Sequence, residues 1–215
     1  MRPMPGPAIK ICGVTTPEAL DAVIAARAEH VGFVFFPKSP RNLAPGAAAA
    51  LAARAEGRVS RVGLFVDADD AAIGEAVSAA RLDGLQLHGG ESPERAAQLR
   101  ARFGLPVWKA VSVASAADVD RAAAYVGAVD LVLFDAKTPK GTLPGGMGLA
   151  FDWSLLAGWK NRAAWGLAGG LNPGNVAEAV RMTGAPLVDT SSGVESAPGL
   201  KDTGLIADFC RAARG

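Results

Sequence analysis

The feature that most restricts what this chain can fold into is an alternation that repeats eight times: a short Val/Leu/Phe-rich run, then an alanine-rich segment. Short apolar runs suit strands covered on both faces, and their alternation with helical segments is the pattern of strand-helix units around a parallel sheet. The candidate strands are Ala8–Cys12, His30–Phe36, Ser60–Val66, Gly84–His88, Val107–Val111, Leu131–Asp135, Ala163–Ala168 and Leu187–Thr190. Helical segments begin near Pro17, Pro45, Asp70, Pro93, Ala116, Trp153, Asn175 and Thr203. Eight alternations in 215 residues predict an α/β fold, a single-domain (β/α)8 or TIM barrel over residues 1–215. A doubly wound open sheet would give similar local signals.

Local chemistry supports several boundaries. Thr16-Pro17, Ser92-Pro93 and Asn172-Pro173 each offer a side-chain oxygen for an N-cap beside a proline at the first helical position. In the first helix Leu20, Val23, Ile24 and Arg27 recur at helical spacing, which makes an apolar stripe able to cover the sheet. No Ser/Gly-rich linker divides the chain. The unusual connection runs from Lys137 to Phe151 and contains "TPKGTLPGGMG", a length and glycine content expected of a functional lid.

Charge narrows the partners. The 22 basic and 21 acidic residues are scattered and leave a formal net charge of +1, too weak a field to hold nucleic acid, so any anionic partner is expected to be small. Cys12 and Cys210 are the two cysteines and His30 and His88 the two histidines, in no metal-ligand spacing, so neither a disulfide framework nor a metal site is expected. The N-terminal "MRPMPGPAIK" has no apolar core of a secretory signal, and the longest uncharged stretch, Ala163–Ala177, is broken by five Gly and Pro residues. A reducing, cytoplasmic location with no membrane contact is the expectation.

In a barrel of this kind chemistry gathers at the C-terminal ends of the strands. Those ends are polar here: Cys12, Asp67, His88, Asp135, then Asp189, Ser191 and Ser192. Period-two alternation puts Lys10 and Cys12 on one face, opposite Ile9 and Ile11, and groups Gln86 with His88 and Leu133 with Asp135. An ammonium near Cys12 would favour the thiolate, the nucleophilic and basic form; the alternative is a buried cysteine acting as a small hydrophobe, which is the better reading of Cys210. Asp135 ends the apolar run "LVLF", where a desolvated carboxyl is a candidate general acid; pairing with Lys137 or a capping role is the alternative. His88 can equally be a hydrogen-bonded structural residue. Two Gly/Ser-rich loops, "AGGLNPGN" from Ala168 and "DTSSGVE" from Asp189, follow strands seven and eight, the two positions where such barrels cradle phosphate.

"KICGV", "GFVFFPKSPRNL", "GLQLHGGE", "LFDAKT", "GGMGLAFDWSLL", "AGGLNPGNV" and "VDTSSGVESAPGLKD" occur in register with all eight units. From Lys10 to Asp202 the chain resembles the phosphoribosylanthranilate isomerase family of tryptophan biosynthesis. The resemblance implies an Amadori rearrangement of N-(5'-phosphoribosyl)anthranilate to 1-(2-carboxyphenylamino)-1-deoxyribulose 5-phosphate, with no metal or organic cofactor. It makes Cys12 the general base and Asp135 the general acid. It assigns Arg41 to the anthranilate carboxylate and the phosphate to Gly169, Gly170, Ser191, Ser192 and Gly193, with Lys10, His88 and Asp189 in the substrate site. It also implies a monomer whose partner is a small phosphosugar. Departures from the family pattern are Met147, where Ser or Thr is common, and Ala168, where Ser is common. The runner-up is the related sugar isomerase of histidine biosynthesis, which carries paired aspartates where this chain has Cys12 and Asp135. A catalytically silent phosphate-binding barrel is the alternative from another class.

Overall fold

Eight parallel strands hydrogen-bond in sequence order and the eighth pairs with the first, Ile9 opposite Val188 and Lys10 opposite Asp189, so the sheet closes and the open-sheet alternative is excluded. The structure is a computed structural model and describes residues 6–136, 152–159 and 162–215. The strands are β1 (Ala8–Cys12), β2 (His30–Phe35), β3 (Ser60–Phe65), β4 (Gly84–Leu87), β5 (Val107–Val113), β6 (Leu131–Ala136), β7 (Trp165–Leu167) and β8 (Leu187–Thr190). Helices α1 (Pro17–Ala25), α2 (Pro45–Ala55), α3 (Asp70–Ala80), α4 (Pro93–Phe103), α5 (Ala116–Ala122), α6 (Val176–Thr183) and α7 (Thr203–Arg214) cover it.

Thr16 and Ser92 do cap α1 and α4, each accepting an amide three residues on and each followed by proline. Three expectations need correction. Asn172-Pro173 does not open α6: Asn172 Oδ1 accepts from Gly174 N–H at 2.8 Å, which spends its cap on a tight turn, and the helix starts after Asn175. The segment at Trp153 is a four-residue 3-10 turn, Trp153–Leu156, closed by Asp152 and followed by Ala157 and Gly158. Arg27 lies beyond α1 in left-handed backbone (φ 55°), so the stripe that packs inward is Leu20 and Val23, with Ile24 partly buried against the same core. The stretch 137–151, with the expected lid and Met147, lies outside the described residues.

Alternation along each strand makes two cores. Ile9 and Ile11 point outward and are fully buried beneath the helices, each burial contributing roughly 1.5–3 kcal/mol. Val62, Trp108, Leu133, Ala168 and Leu187 form a separate apolar layer inside the barrel, and His30 meets Trp108 edge-on at 5.0 Å. At the N-terminal rim three carboxylates accept backbone N–H groups near strand starts: Glu29 from Ile9 (2.7 Å), Asp83 from Arg61 (2.8 Å) and Asp130 from Val107 (2.8 Å). At the opposite rim a short antiparallel hairpin, β9 (Glu195–Ala197) and β10 (Leu200–Lys201), follows β8.

Candidate active site

Above the apolar layer the barrel interior turns polar. Lys10 is fully buried and donates to both oxygens of Asp189, at 3.0 Å each. Burial works against its ammonium, but Asp189 and the neighbouring Cys12 outweigh burial and raise its pKa, so it stays charged. The Cys12 thiol lies beside it over Gly32, where a Cβ would come within 2.8 Å of Sγ and 3.1 Å of Lys10 Nζ; only a glycine leaves room for both. Burial pushes the Cys12 pKa up and Lys10 pulls it down, with burial winning. Lys10 thus favours the thiolate, as expected, but desolvation of the buried sulfur is the larger effect and sets the net direction.

Asp135 ends the inward face of β6 with its carboxyl buried, and His88 Nε2 stands 3.1 Å from its Oδ2. Gln86 Nε2 lies 3.2 Å from His88 Nδ1; with that amide donating, the imidazole proton sits on Nε2 and is aimed at Asp135. Gly169 (φ 84°) crosses so close behind that a Cβ there would lie 2.2 Å from Ala136 N and 2.8 Å from Asp135 Oδ1. The two phosphate-type loops meet beside it. Asn175 and Asn172 donate to Gly170 O at 2.9 and 3.3 Å, and Thr190 Oγ1 donates to Leu171 O at 2.7 Å. This leaves the amides of Gly169, Gly170 and Gly193 donating to no acceptor among the described residues.

These groups surround one cavity of about 680 Å³, counted out to its open mouth. Cys12, Arg41, His88, Asp135, Gly169, Gly170, Asp189, Ser191, Ser192 and Gly193 all line it. Lys10 lies below its floor and reaches it through Asp189 and Cys12. Asp67 does not join the others: in left-handed backbone (φ 50°) it accepts Gly90 N–H at 2.7 Å within its own rim of loops. Val34, Phe36, Leu64 and Val66, from β2, β3 and the residues just after them, add an apolar wall to the lining.

Residues 9–212 match the family described as N-(5'-phosphoribosyl)anthranilate (PRA) isomerase. The chain is 56% identical to the N-(5'-phosphoribosyl)anthranilate isomerase of Paramagnetospirillum magneticum over 208 residues, covering 96% of this chain and 97% of that one. The chain belongs to this family. Its barrel superposes on phosphoribosyl anthranilate isomerase from Thermotoga maritima with a TM-score of 0.89 at 38% identity, covering 97% and 99% of the two chains. A second such isomerase structure, in complex with reduced 1-(o-carboxyphenylamino)-1-deoxyribulose 5-phosphate, gives a TM-score of 0.86 at 36% identity and the same coverage. Among the described residues no cluster of His, Cys, Asp or Glu could hold a metal, and no helix is long and apolar enough to cross a membrane.

Sequence reasoning missed Glu195 and Lys201, whose side chains are buried against Arg41 and Ser191. It also missed the apolar wall, whose residues read as ordinary strand interior. Cys210 behaves as expected of a core thiol: burial raises its pKa to about 11.

Proposed function

We propose that Cys12 and Asp135 are the general base and general acid of the isomerisation for which this family is named, an aldose-ketose rearrangement in tryptophan biosynthesis. The single observation that carries this is their placement: a thiol and a carboxyl at the ends of β1 and β6, facing one cavity between free backbone amides and Arg41.

The substrate's chemistry maps onto that cavity. The amides of Gly169, Gly170 and Gly193, with Ser191 and Ser192, hold the phosphate, far from the reacting carbons, so that its binding energy orients the sugar. Arg41 takes the anthranilate carboxylate and the apolar wall takes its ring. Asp135 gives its proton to the furanose ring oxygen as the C1–O bond breaks and the nitrogen lone pair closes a C1–N double bond. The iminium makes the C2 proton acidic, and the Cys12 thiolate removes it, the C2–H pair becoming the C1–C2 double bond of an enolamine. Reprotonation at C1 and loss of the enol proton give the ketone, with no net proton gained or lost. His88 steers the Asp135 carboxyl through its Nε2–H, and Lys10 stabilises the thiolate against burial. No cofactor takes part in this scheme.

The same reading treats residues 1–215 as one barrel domain, working as a monomer in the cytoplasm; light scattering at assay concentration checks the monomer. The chemical assignment is tested by following loss of the substrate's fluorescence, with phosphoribosylanthranilate generated in situ. Turnover that collapses in both Cys12→Ala and Asp135→Asn supports the pair, whereas a variant that keeps near-normal kcat removes its residue from the scheme.

A further inference from the structure

Beside the cavity two cations share one carboxylate. Arg41 Nε and Nη2 donate to Glu195 Oε1 and Oε2, each at 2.7 Å, and Lys201 Nζ donates to the same Oε1 at 2.6 Å. Lys201 also donates to Ser191 O at 2.9 Å and to Ser191 Oγ at 3.3 Å, in the loop assigned to phosphate. The side chains of Arg41, Glu195 and Lys201 are 9%, 4% and 1% exposed, so the cluster is a built feature of the interior wall. Gly13 (φ 76°) admits the arginine stem: a Cβ there would lie 2.4 Å from Arg41 Cδ. At the turn of the hairpin, Gly199 N–H donates to Glu195 Oε2 at 3.2 Å and ties β9 and β10 to the same carboxylate.

Charge and geometry point the same way. Two cations and one carboxylate leave one net positive charge on the wall, matched to one incoming carboxylate. Glu195 occupies one edge of the guanidinium fork. The remaining N–H donors of Arg41 have no partner among the described residues, and the side chain lines the cavity. We infer that Glu195 and Lys201 are positioning residues for Arg41: Glu195 fixes the fork so that its other edge meets the aromatic carboxylate of the substrate, and Lys201 keeps the cluster cationic while tying it to the phosphate loop through Ser191. This rests on the assignment of Arg41 to that carboxylate. Removing Glu195 has two opposing effects, since losing a negative charge attracts the incoming anion and losing the anchor frees a long, flexible side chain. Orientation dominates, because a bidentate pair demands a fixed fork.

The test compares the dissociation constants, by calorimetry, of two ligands: reduced 1-(2-carboxyphenylamino)-1-deoxyribulose 5-phosphate, and the same compound without its carboxyl group. Wild type prefers the first. In Glu195→Gln the carboxylated ligand is expected to weaken roughly 10- to 100-fold, the strength of a charged hydrogen-bond pair, while the other changes little. Lys201→Met weakens both ligands through Ser191 and also narrows the preference. Equal weakening of both ligands in Glu195→Gln, or an unchanged preference, overturns the inference and leaves Glu195 a structural residue. Arg41→Gln separates this from the underlying assignment. If it abolishes the preference that Glu195→Gln retains, only the inference fails; if it also retains the preference, the Arg41 assignment fails and takes the inference with it. Should Glu195→Gln not fold by circular dichroism, Glu195→Asp carries the test, with a selective loss expected and an equal loss overturning it.

Discussion

At the N-terminal rim Glu29, Asp83 and Asp130 accept backbone N–H groups of β1, β3 and β5; at the C-terminal rim Asp135, Asp189 and Glu195 meet His88, Lys10, and Arg41 with Lys201. The residue type is the same and both rims supply cations, since Glu29, Asp83 and Asp130 also face Arg214, Arg61 and Arg100. The difference is whether the carboxylate holds the framework or adjoins the cavity. A peptide N–H is part of the framework and neither gains nor loses a proton, so a carboxylate bound to it fixes a strand end, and the arginine paired with it at that rim lines no part of the cavity. A side-chain cation or imidazole beside the cavity responds to what enters it, so a carboxylate paired with it there can hold, aim or release charge. The separation of stability at one rim from chemistry at the other is what the barrel architecture permits.

The hardest test of that division is at the mouth. Cys12→Ala and Asp135→Asn are each expected to lower kcat by about a thousandfold, within the range of general acid-base catalysis, with thermal stability little changed. Comparable losses of melting temperature and rate would erase the contrast. Lys10→Met sharpens it: Lys10 pulls the Cys12 pKa down, so its loss raises that pKa further. Only the thiolate is basic, so the rising limb of the pH-rate profile moves to higher pH and activity at neutral pH falls roughly tenfold or more. A limb that stays in place would separate Lys10 from the base.

The floor responds to acid. Burial, then the neighbouring Lys10 charge, lowers the His30 pKa from 6.5 to about 4. The unfolded chain takes up this proton first, so the stability contribution is complete above about pH 6.5 and is lost as pH falls towards 4; between about pH 7 and pH 5 the loss is roughly 2 kcal/mol. Denaturant titrations of wild type and His30→Gln at the two pH values check this, since the variant lacks that component. The smallest effect on catalysis belongs to the lower rim: Asp83→Asn weakens both the bond from the Arg61 amide and the pair with the Arg61 side chain, and is expected to cost about 1–2 kcal/mol in unfolding free energy and to leave kcat/KM unchanged. A fall in kcat/KM there would show that the rims are not separate.

Much of the mouth was legible in sequence because its signals are periodic and local. The ends of β1 and β8 follow from short apolar runs, and two-residue alternation places Lys10 and Cys12 together once the sheet closes. The clasps of the lower rim left no such trace, since Glu29, Asp83 and Asp130 accept from amides 20, 22 and 23 positions away, each on a different strand. The hairpin that carries Glu195 and Lys201 was invisible for another reason: strands of three and two residues are too short to show a period, and Pro198-Gly199 reads only as a turn. At Cys12 the sequence put the ammonium in the right place, but it carried no information on how completely the sulfur is enclosed, and enclosure decides the direction of its pKa.

The most direct measurement of the central assignment follows the C2 hydrogen. With C2-deuterated phosphoribosylanthranilate, mass spectrometry of substrate and product reports whether that label leaves for water. Wild type is expected to release deuterium as product forms, and Cys12→Ala to retain it. Release from the Cys12→Ala variant at the wild-type rate would contradict the role of Cys12 as base and show that another group takes the proton.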